Sequence, residues 1–150
     1  MIQEGQKAPA FTLPDQDGNT HLLSDYAGKK VLLYFYPKDD TPGCTTEACN
    51  FRDGYEGFQS KGLVILGVSA DSVEKHKKFA GKYDLPFPLL SDEDHKVCEA
   101  YGVWQEKNFM GRKYMGIMRQ SFLIDEKGNI EKIYENVKPK EHAEEVIGDV

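Results

Sequence analysis

Two nearly continuous apolar runs, residues 30–36 and 63–69, dominate the hydrophobic pattern of the chain. Runs of this length without polar alternation are typical of strands covered on both faces of a sheet. Between them the pattern predicts a short loop followed by a helix from about Thr41 to Ser60. A strand, helix and strand in this order predict two parallel strands joined by a right-handed crossover.

Further elements follow from periodicity and from turn residues. Residues 72–83 predict a helix, because Val73, His76, Phe79 and Ala80 recur at helical spacing behind a capping residue, Asp71 or Ser72. The other predicted elements are a hairpin over 11–23, an extended stretch over 85–90, a helix over 93–101, a loop over 102–116, strands over 118–124 and 130–137 and a helix over 140–147.

This element order is typical of the α/β class with a thioredoxin-like fold. It predicts a central mixed β-sheet flanked by helices, preceded by an N-terminal hairpin extension. The length of 150 residues indicates one domain over 1–150.

Composition narrows the possible partners and the compartment. A net charge of −6 repels phosphate backbones and anionic lipid heads, so neither nucleic acid nor a membrane is expected as a partner. The chain has no apolar run of about 18 residues, and its first residues lack the basic and apolar pattern of a signal peptide. Its three cysteines are too few for a disulfide framework. We therefore expect a cytoplasmic protein.

The most informative stretch surrounds Cys44, directly after the first buried strand. Thr41 is a good N-cap, and Pro42 then falls at the first helical position, where its missing N–H is harmless. Cys44 is thus placed in the first helical turn, facing unpaired N–H groups and the positive end of the helix dipole. Such surroundings can lower a cysteine pKa from about 8.5 to roughly 3.5–7.5, which makes the thiolate available as a nucleophile.

Three neighbours of Cys44 bear on its chemistry. Gly43 leaves space beside the sulfur for a small substrate, and the Thr41 hydroxyl is within plausible reach of the sulfur or of a bound oxygen. Cys49 follows five residues later, about 8.7 Å from Cys44 between Cα atoms on a regular helix. A disulfide needs less than about 7 Å. If these cysteines do bond, the helix must therefore unwind locally.

Arg119 is the candidate cation for binding a polar substrate. It opens the apolar strand 119–125, where a guanidinium is costly unless it has a partner. The alternative is a purely structural ion pair with Glu47 or Asp125. Arg52 and Arg112 are weaker candidates.

Other readings of the cysteines and histidines remain open at this stage. Cys49 and Cys98 can be ordinary packing residues. Cys44 and Cys49 with His95 and Cys98 could form a zinc module, although we expect no metal. A disulfide exchange enzyme is a further alternative, but such enzymes use two intervening residues between their cysteines, and here there are four. The four histidines, His21, His76, His95 and His142, are expected at the surface or as satisfied core residues.

The quoted residues resemble a known family. The pattern Pro37-x-x-x-Thr41-x-x-Cys44 is similar to the active-site motif of peroxiredoxins, and the longer segment 41–52 resembles the bacterioferritin comigratory protein branch, or Q-type. Supporting similarity extends through 85–92 and 119–125 and covers about residues 5 to 148.

The resemblance implies a thioredoxin-dependent enzyme that reduces hydrogen peroxide and organic hydroperoxides without a cofactor. It implies that Cys44 is the peroxidatic cysteine, that Thr41 and Arg119 bind the peroxide, and that Pro37 shapes and shields the pocket. Cys49 would be the resolving cysteine of an intramolecular two-cysteine type. Members of this branch often work as monomers, so we expect a monomer.

Overall fold

The computed structural model describes residues 2–150 and consists of three β-sheets and five α-helices within that range. The strands are β1 (Thr12–Pro14), β2 (Thr20–Leu22), β3 (Lys30–Phe35), β4 (Leu63–Ser69), β5 (Leu89–Ser91), β6 (Trp104–Phe109), β7 (Arg112–Ile117), β8 (Gln120–Ile124) and β9 (Ile130–Tyr134). The helices are α1 (Pro42–Asp53), α2 (Tyr55–Ser60), α3 (Val73–Tyr83), α4 (Lys96–Ala100) and α5 (His142–Asp149).

The central sheet has five strands in the order β5-β4-β3-β8-β9. β3 pairs in parallel with β4, and β4 with β5, whereas β8 joins β3 and β9 in antiparallel fashion. The mixed sheet predicted from the element order is therefore confirmed, as is the separate N-terminal hairpin of β1 and β2. β3 is the central strand, so the loop from its carboxyl end to α1 begins at the centre of the sheet.

Side chains of β3 alternate between two hydrophobic clusters on opposite faces of the sheet. Leu32 and Tyr34 join the cluster that includes Phe51 of α1. Leu33 and Phe35 point the other way and pack with Cys98 and other residues of the second cluster. Burial of each such side chain contributes about 1.5–3 kcal/mol. Both clusters therefore hold the strand that leads to the site.

The predicted helix over 41–60 is wrong in one respect, because it is two helices that meet at Gly54. Gly54 has φ −95° and ψ 7°, and its N–H bonds to the carbonyls of Asn50 and Arg52, as at a helix end. A side chain at this position would lie 3.2 Å from the ring of Phe58. A larger residue at 54 would therefore require the Phe58 ring to shift by a few tenths of an ångström.

The predicted loop over 102–116 is also wrong, because most of it is a β-hairpin. β6 and β7 pair from Trp104 with Ile117 to Phe109 with Arg112, so the turn consists of Met110 and Gly111. Both turn residues have positive φ, 52° and 79°, as a type I′ turn requires. Methionine is an unusual first residue for this turn, and the strands are largely exposed, so the usual sequence signals are missing.

The remaining predicted elements are found with shifted ends. Ser72 caps α3 as expected, its hydroxyl accepting a hydrogen bond from the N–H of Lys75 at 3.2 Å. The predicted helix over 93–101 is limited to α4, and the extended stretch predicted over 85–90 leads into β5, which runs one residue beyond it to Ser91. Within residues 2–150, no helix combines the length and apolar character needed to cross a bilayer.

Candidate active site

Cys44 lies in the first turn of α1, just beyond the carboxyl end of β3. Thr41 occupies the N-cap position with extended φ and ψ of −100° and 155°, and Pro42 is the first helical residue. The first N–H groups of a helix have no partner within it and carry the positive end of its dipole. Cys44 is only 2% exposed, so solvent screens the field of the helix dipole weakly at its sulfur.

Arg119 contacts Cys44 directly. Its Nη2 donates to the Cys44 Sγ at 3.3 Å, while Nη1 donates to Oε1 of Glu47 at 2.7 Å. The contact with a reactive group and the ion pair with Glu47, posed as alternatives from the sequence, are therefore both present. Burial lowers the pKa of Arg119, but Glu47 and Cys44 together raise it more, so the guanidinium stays charged beside the sulfur.

Glu47 is the buried anchor of this guanidinium. The residue is 1% exposed, and burial raises the pKa of its carboxyl to about 7, although Arg119 acts in the opposite direction. Its second oxygen, Oε2, has no hydrogen-bond partner among residues 2–150. Since Glu47 follows Cys44 by three residues, one face of α1 carries both groups that contact Arg119.

Gly43 allows the guanidinium to approach the helix. A Cβ atom at this position would lie 3.2 Å from Nη2 of Arg119 and 3.5 Å from Pro139. A groove of about 390 Å³ opens beside it, lined by Pro42, Gly43, Thr46 and residues 138–141. The groove borders the helical turn that carries Cys44. A side chain at position 43 would crowd the guanidinium of Arg119.

Thr41 and Pro37 flank the site in different ways. The hydroxyl of Thr41 donates to the carbonyl of Lys38 at 2.9 Å, and does not cap α1 with its side chain. Its expected reach to the sulfur is thus not used in this state. Pro37 follows β3 after one residue and is half-buried at the start of the loop that leads to Thr41.

A buried network that the sequence did not reveal holds this loop. Asp39 donates its N–H to Asp71 at 2.8 Å and accepts a hydrogen bond from the hydroxyl of Tyr36 at 2.6 Å. The second carboxylate oxygen of Asp39 lies 2.6 Å from Nδ1 of His76, which is fully buried. Asp40, with a positive φ of 57°, is hydrogen-bonded by residues 82 and 83 of α3. The loop is therefore tied to elements outside α1.

The three cysteines are free and occupy different surroundings. Cys49 is partly exposed and lies five residues after Cys44 on the same intact helix, α1. Cys98 is fully buried in the opposite cluster, where burial first and the nearby Asp92 second raise its pKa well above the ordinary value. His95 stacks on Trp104 with ring centroids 3.8 Å apart. Because Cys44 and Cys98 lie on opposite faces of the sheet, the structure does not assemble the zinc module.

Comparison with known proteins identifies the family of this chain. The model of the AhpC/TSA family matches residues 4–133. The chain belongs to that family. Among curated relatives, Peroxiredoxin Bcp of Bacillus subtilis is 54% identical over 146 residues, covering 97% of this chain and 93% of its own. Peroxiredoxin Bcp of Escherichia coli is 51% identical over 146 residues, with coverage of 97% and 94%.

Solved structures agree with this family assignment. The chain superposes on a cysteine-to-serine mutant of PrxQ from Xylella fastidiosa with a TM-score of 0.94 at 36% identity, covering 99% of this chain and 95% of that one. The bacterioferritin comigratory protein of Xanthomonas campestris gives 0.88 at 40% identity, with coverage of 93% and 88%. The resemblance drawn from the Cys44 motif is confirmed at the level of the family, and so is the thioredoxin-like fold.

Proposed function

We propose that this protein is a thiol-dependent peroxidase in which Cys44 attacks hydrogen peroxide and organic hydroperoxides. The contact of 3.3 Å between Arg119 and the Cys44 sulfur, at the N-terminus of α1, is the observation that carries the proposal. A helix dipole and a guanidinium both favour thiolate over thiol. The relatives are named peroxiredoxins, and the work on the Xanthomonas protein concerns its reduction of alkyl peroxides.

In the first step the Cys44 thiolate attacks the terminal oxygen of ROOH. An S–O bond forms as the O–O bond breaks, ROH is released after the alkoxide takes up a proton, and the sulfur becomes a sulfenic acid. Arg119 and the first N–H groups of α1 stabilise the charge that develops on the oxygens. Thr41 is assigned to hold the peroxide through its hydroxyl, which exchanges its bond to Lys38 for one to the substrate. Gly43 and Pro37 shape the pocket through which the peroxide reaches the Cys44 sulfur.

In the second step Cys49 attacks the sulfenic acid. An S–S bond forms, the S–O bond breaks, and water leaves. The two cysteines cannot reach bonding distance on an intact α1, so the helix must unwind between them. Oxidation is therefore coupled to a local loss of structure in residues 42–53.

In the third step a dithiol protein, for which thioredoxin is the proposed candidate, reduces the disulfide by exchange. The proposed cycle needs no cofactor. All groups assigned to it come from this chain, which suits a monomer. A reducing cytoplasm is the compartment in which such a cycle would be sustained.

Two serine variants test this cycle in a coupled assay that follows NADPH with thioredoxin and its reductase. Cys44→Ser is expected to abolish peroxide consumption. Cys49→Ser should complete one stoichiometric turnover and then stop, while Cys98→Ser, a buried change outside the site, should retain turnover. Full turnover by Cys44→Ser would refute the assignment. Rapid reduction of insulin without peroxide consumption would favour a disulfide exchange enzyme instead.

A further inference from the structure

The hairpin of β6 and β7 has two chemically different faces. Residues paired across an antiparallel ladder share a face, so the pairs Lys107 with Tyr114 and Phe109 with Arg112 lie on one side. This side, which we name the cationic face, carries two cations and two aromatic rings. The carboxylate of the hairpin, Glu106, lies on the other side. The cationic face is therefore positive in a chain whose net charge is −6.

The aromatic side chains of the cationic face are unusually exposed. Phe109 is 66% exposed and Tyr114 is 47% exposed, although both rings are large and apolar. Clustered exposed apolar side chains mark interaction sites in soluble proteins. Aromatic residues and arginine are also the side chains enriched in protein–protein interfaces, where they supply most of the binding energy.

The cationic face is continuous with the site around Cys44. Lys107 is partly buried. Its side chain passes over Gly116, and its Cδ lies 3.2 Å from the position that a Cβ on Gly116 would occupy. Burial and the charge of Arg119 lower the pKa of Lys107, while Cys44 acts in the opposite direction, so both site residues lie within electrostatic reach. No carboxylate forms an ion pair with Lys107 in the part of the chain described. β7 also ends at Ile117, two residues before Arg119, so the base of the hairpin adjoins the guanidinium that contacts the Cys44 sulfur.

We propose that the cationic face is the docking surface for an acidic dithiol protein that reduces this enzyme. The inference rests on the proposed function and adds where the reductant binds and which charge its surface carries. A protein that reduces the disulfide must bring a thiolate to it, and the cationic face offers exposed aromatic rings and a positive charge on the hairpin that adjoins Arg119. Opposite charges accelerate such an encounter and fix its orientation.

The exchange itself transfers two electrons. A thiolate of the partner attacks one sulfur of the Cys44–Cys49 disulfide, forming a mixed disulfide as the internal S–S bond breaks. The second thiol of the partner then attacks that mixed disulfide, so the partner leaves with its own disulfide and both cysteines of this chain are reduced. The hairpin lies outside α1, the segment that must unwind, so we expect it to keep its fold before and after the exchange.

Two double variants of the hairpin test the proposal. Phe109→Ser with Arg112→Glu alters the cationic face, and Met115→Ser with Lys113→Glu makes matched changes on the opposite face. We expect the first variant to raise the KM for a bacterial thioredoxin about tenfold or more. Its first turnover with peroxide and its turnover with dithiothreitol should stay within twofold of the wild type. The matched control should leave all three quantities within twofold.

Other results would overturn the proposal. An unchanged KM for thioredoxin, or an equal rise of this KM in both double variants, would show that the reductant does not dock on the cationic face. A wild-type dimer in sedimentation velocity that dissociates only in the Phe109→Ser, Arg112→Glu variant would assign the face to a second copy. A selective rise in the KM for cumene hydroperoxide over hydrogen peroxide would assign it to substrate. Absence of dithiothreitol-driven turnover in the wild type would instead refute the proposed function.

Discussion

Arg119 and Glu47 form an ion pair of 2.7 Å in which the carboxylate is almost completely buried while the guanidinium also reaches the Cys44 sulfur. A buried pair of this kind stabilises little by itself, because removing both charges from water offsets their attraction. Its clearer effect is on geometry. Glu47 holds the planar guanidinium so that its second nitrogen is directed at Cys44.

The raised pKa of Glu47 predicts a dependence of stability on pH. The unfolded carboxyl loses its proton near 4.5, whereas the folded one keeps it to about 7. Between these values the unfolded state binds fewer protons, so the free energy of unfolding should fall as pH rises, by about 3 kcal/mol at 1.36 kcal/mol per pKa unit. Denaturant titration near pH 5 and pH 8 should show this loss in the wild type and much less of it in Glu47→Gln.

An exposed glutamate provides the control for that experiment. Glu56→Gln, on α2, should keep the pH dependence of the wild type, because Glu56 is exposed to solvent. If Glu47→Gln and the wild type lost stability in parallel between the two pH values, the buried carboxyl would not titrate as described.

Replacing Arg119 should slow the first step of the cycle. Arg119→Met removes a preorganised donor, an effect of about 10²–10³ in rate, whereas Arg119→Lys keeps one charge but cannot contact Cys44 and Glu47 together. Stopped-flow measurement of the second-order rate with hydrogen peroxide should place Lys between wild type and Met. Arg112→Met, at the exposed hairpin, serves as control and should not change this rate. Equal rates for Arg119→Met and wild type would contradict the assigned contact.

Gly43→Ala should separate activity from stability. The added methyl would lie 3.2 Å from Nη2 of Arg119, so the guanidinium must move by a few tenths of an ångström. We expect the rate with peroxide to fall about tenfold with little change in the free energy of unfolding. Gly81→Ala in α3 meets no atom within 4 Å. It should leave the rate unchanged and stabilise the protein by about 0.5–1 kcal/mol, since alanine favours a helix interior.

Oxidation should loosen α1 but not the loop before it. Amide exchange in residues 42–53 is expected to accelerate at least tenfold when the Cys44–Cys49 disulfide forms. The N–H of Asp39 should stay protected in both states, because its acceptor, Asp71, lies outside α1. Hydrogen exchange with mass spectrometry, before and after one equivalent of peroxide, measures both. Peroxide-treated Cys49→Ser, which cannot form the disulfide, should keep slow exchange, and equally slow exchange in oxidised wild type would rule out the unwinding.

Local signals account for the part of the site that was predicted correctly. The cap at Thr41, the proline after it and the buried strand before it are short-range features, and together they place Cys44 in the first turn of α1. The hairpin of β6 and β7 was missed because Met110 adopts a positive φ without the usual asparagine or aspartate, and because the exposed strands bury no alternating face.

The sequence by itself determined the buried strands, the family motif and the placement of a cysteine at a helix start, because propensity, capping and periodicity act over a few residues. Only the tertiary structure decided that Arg119 contacts both Cys44 and Glu47, across 75 and 72 residues of chain. It also decided that Asp39 is held by His76 and Asp71. Contacts between residues so far apart depend on how the strands pair and how the helices pack, which no local pattern specifies.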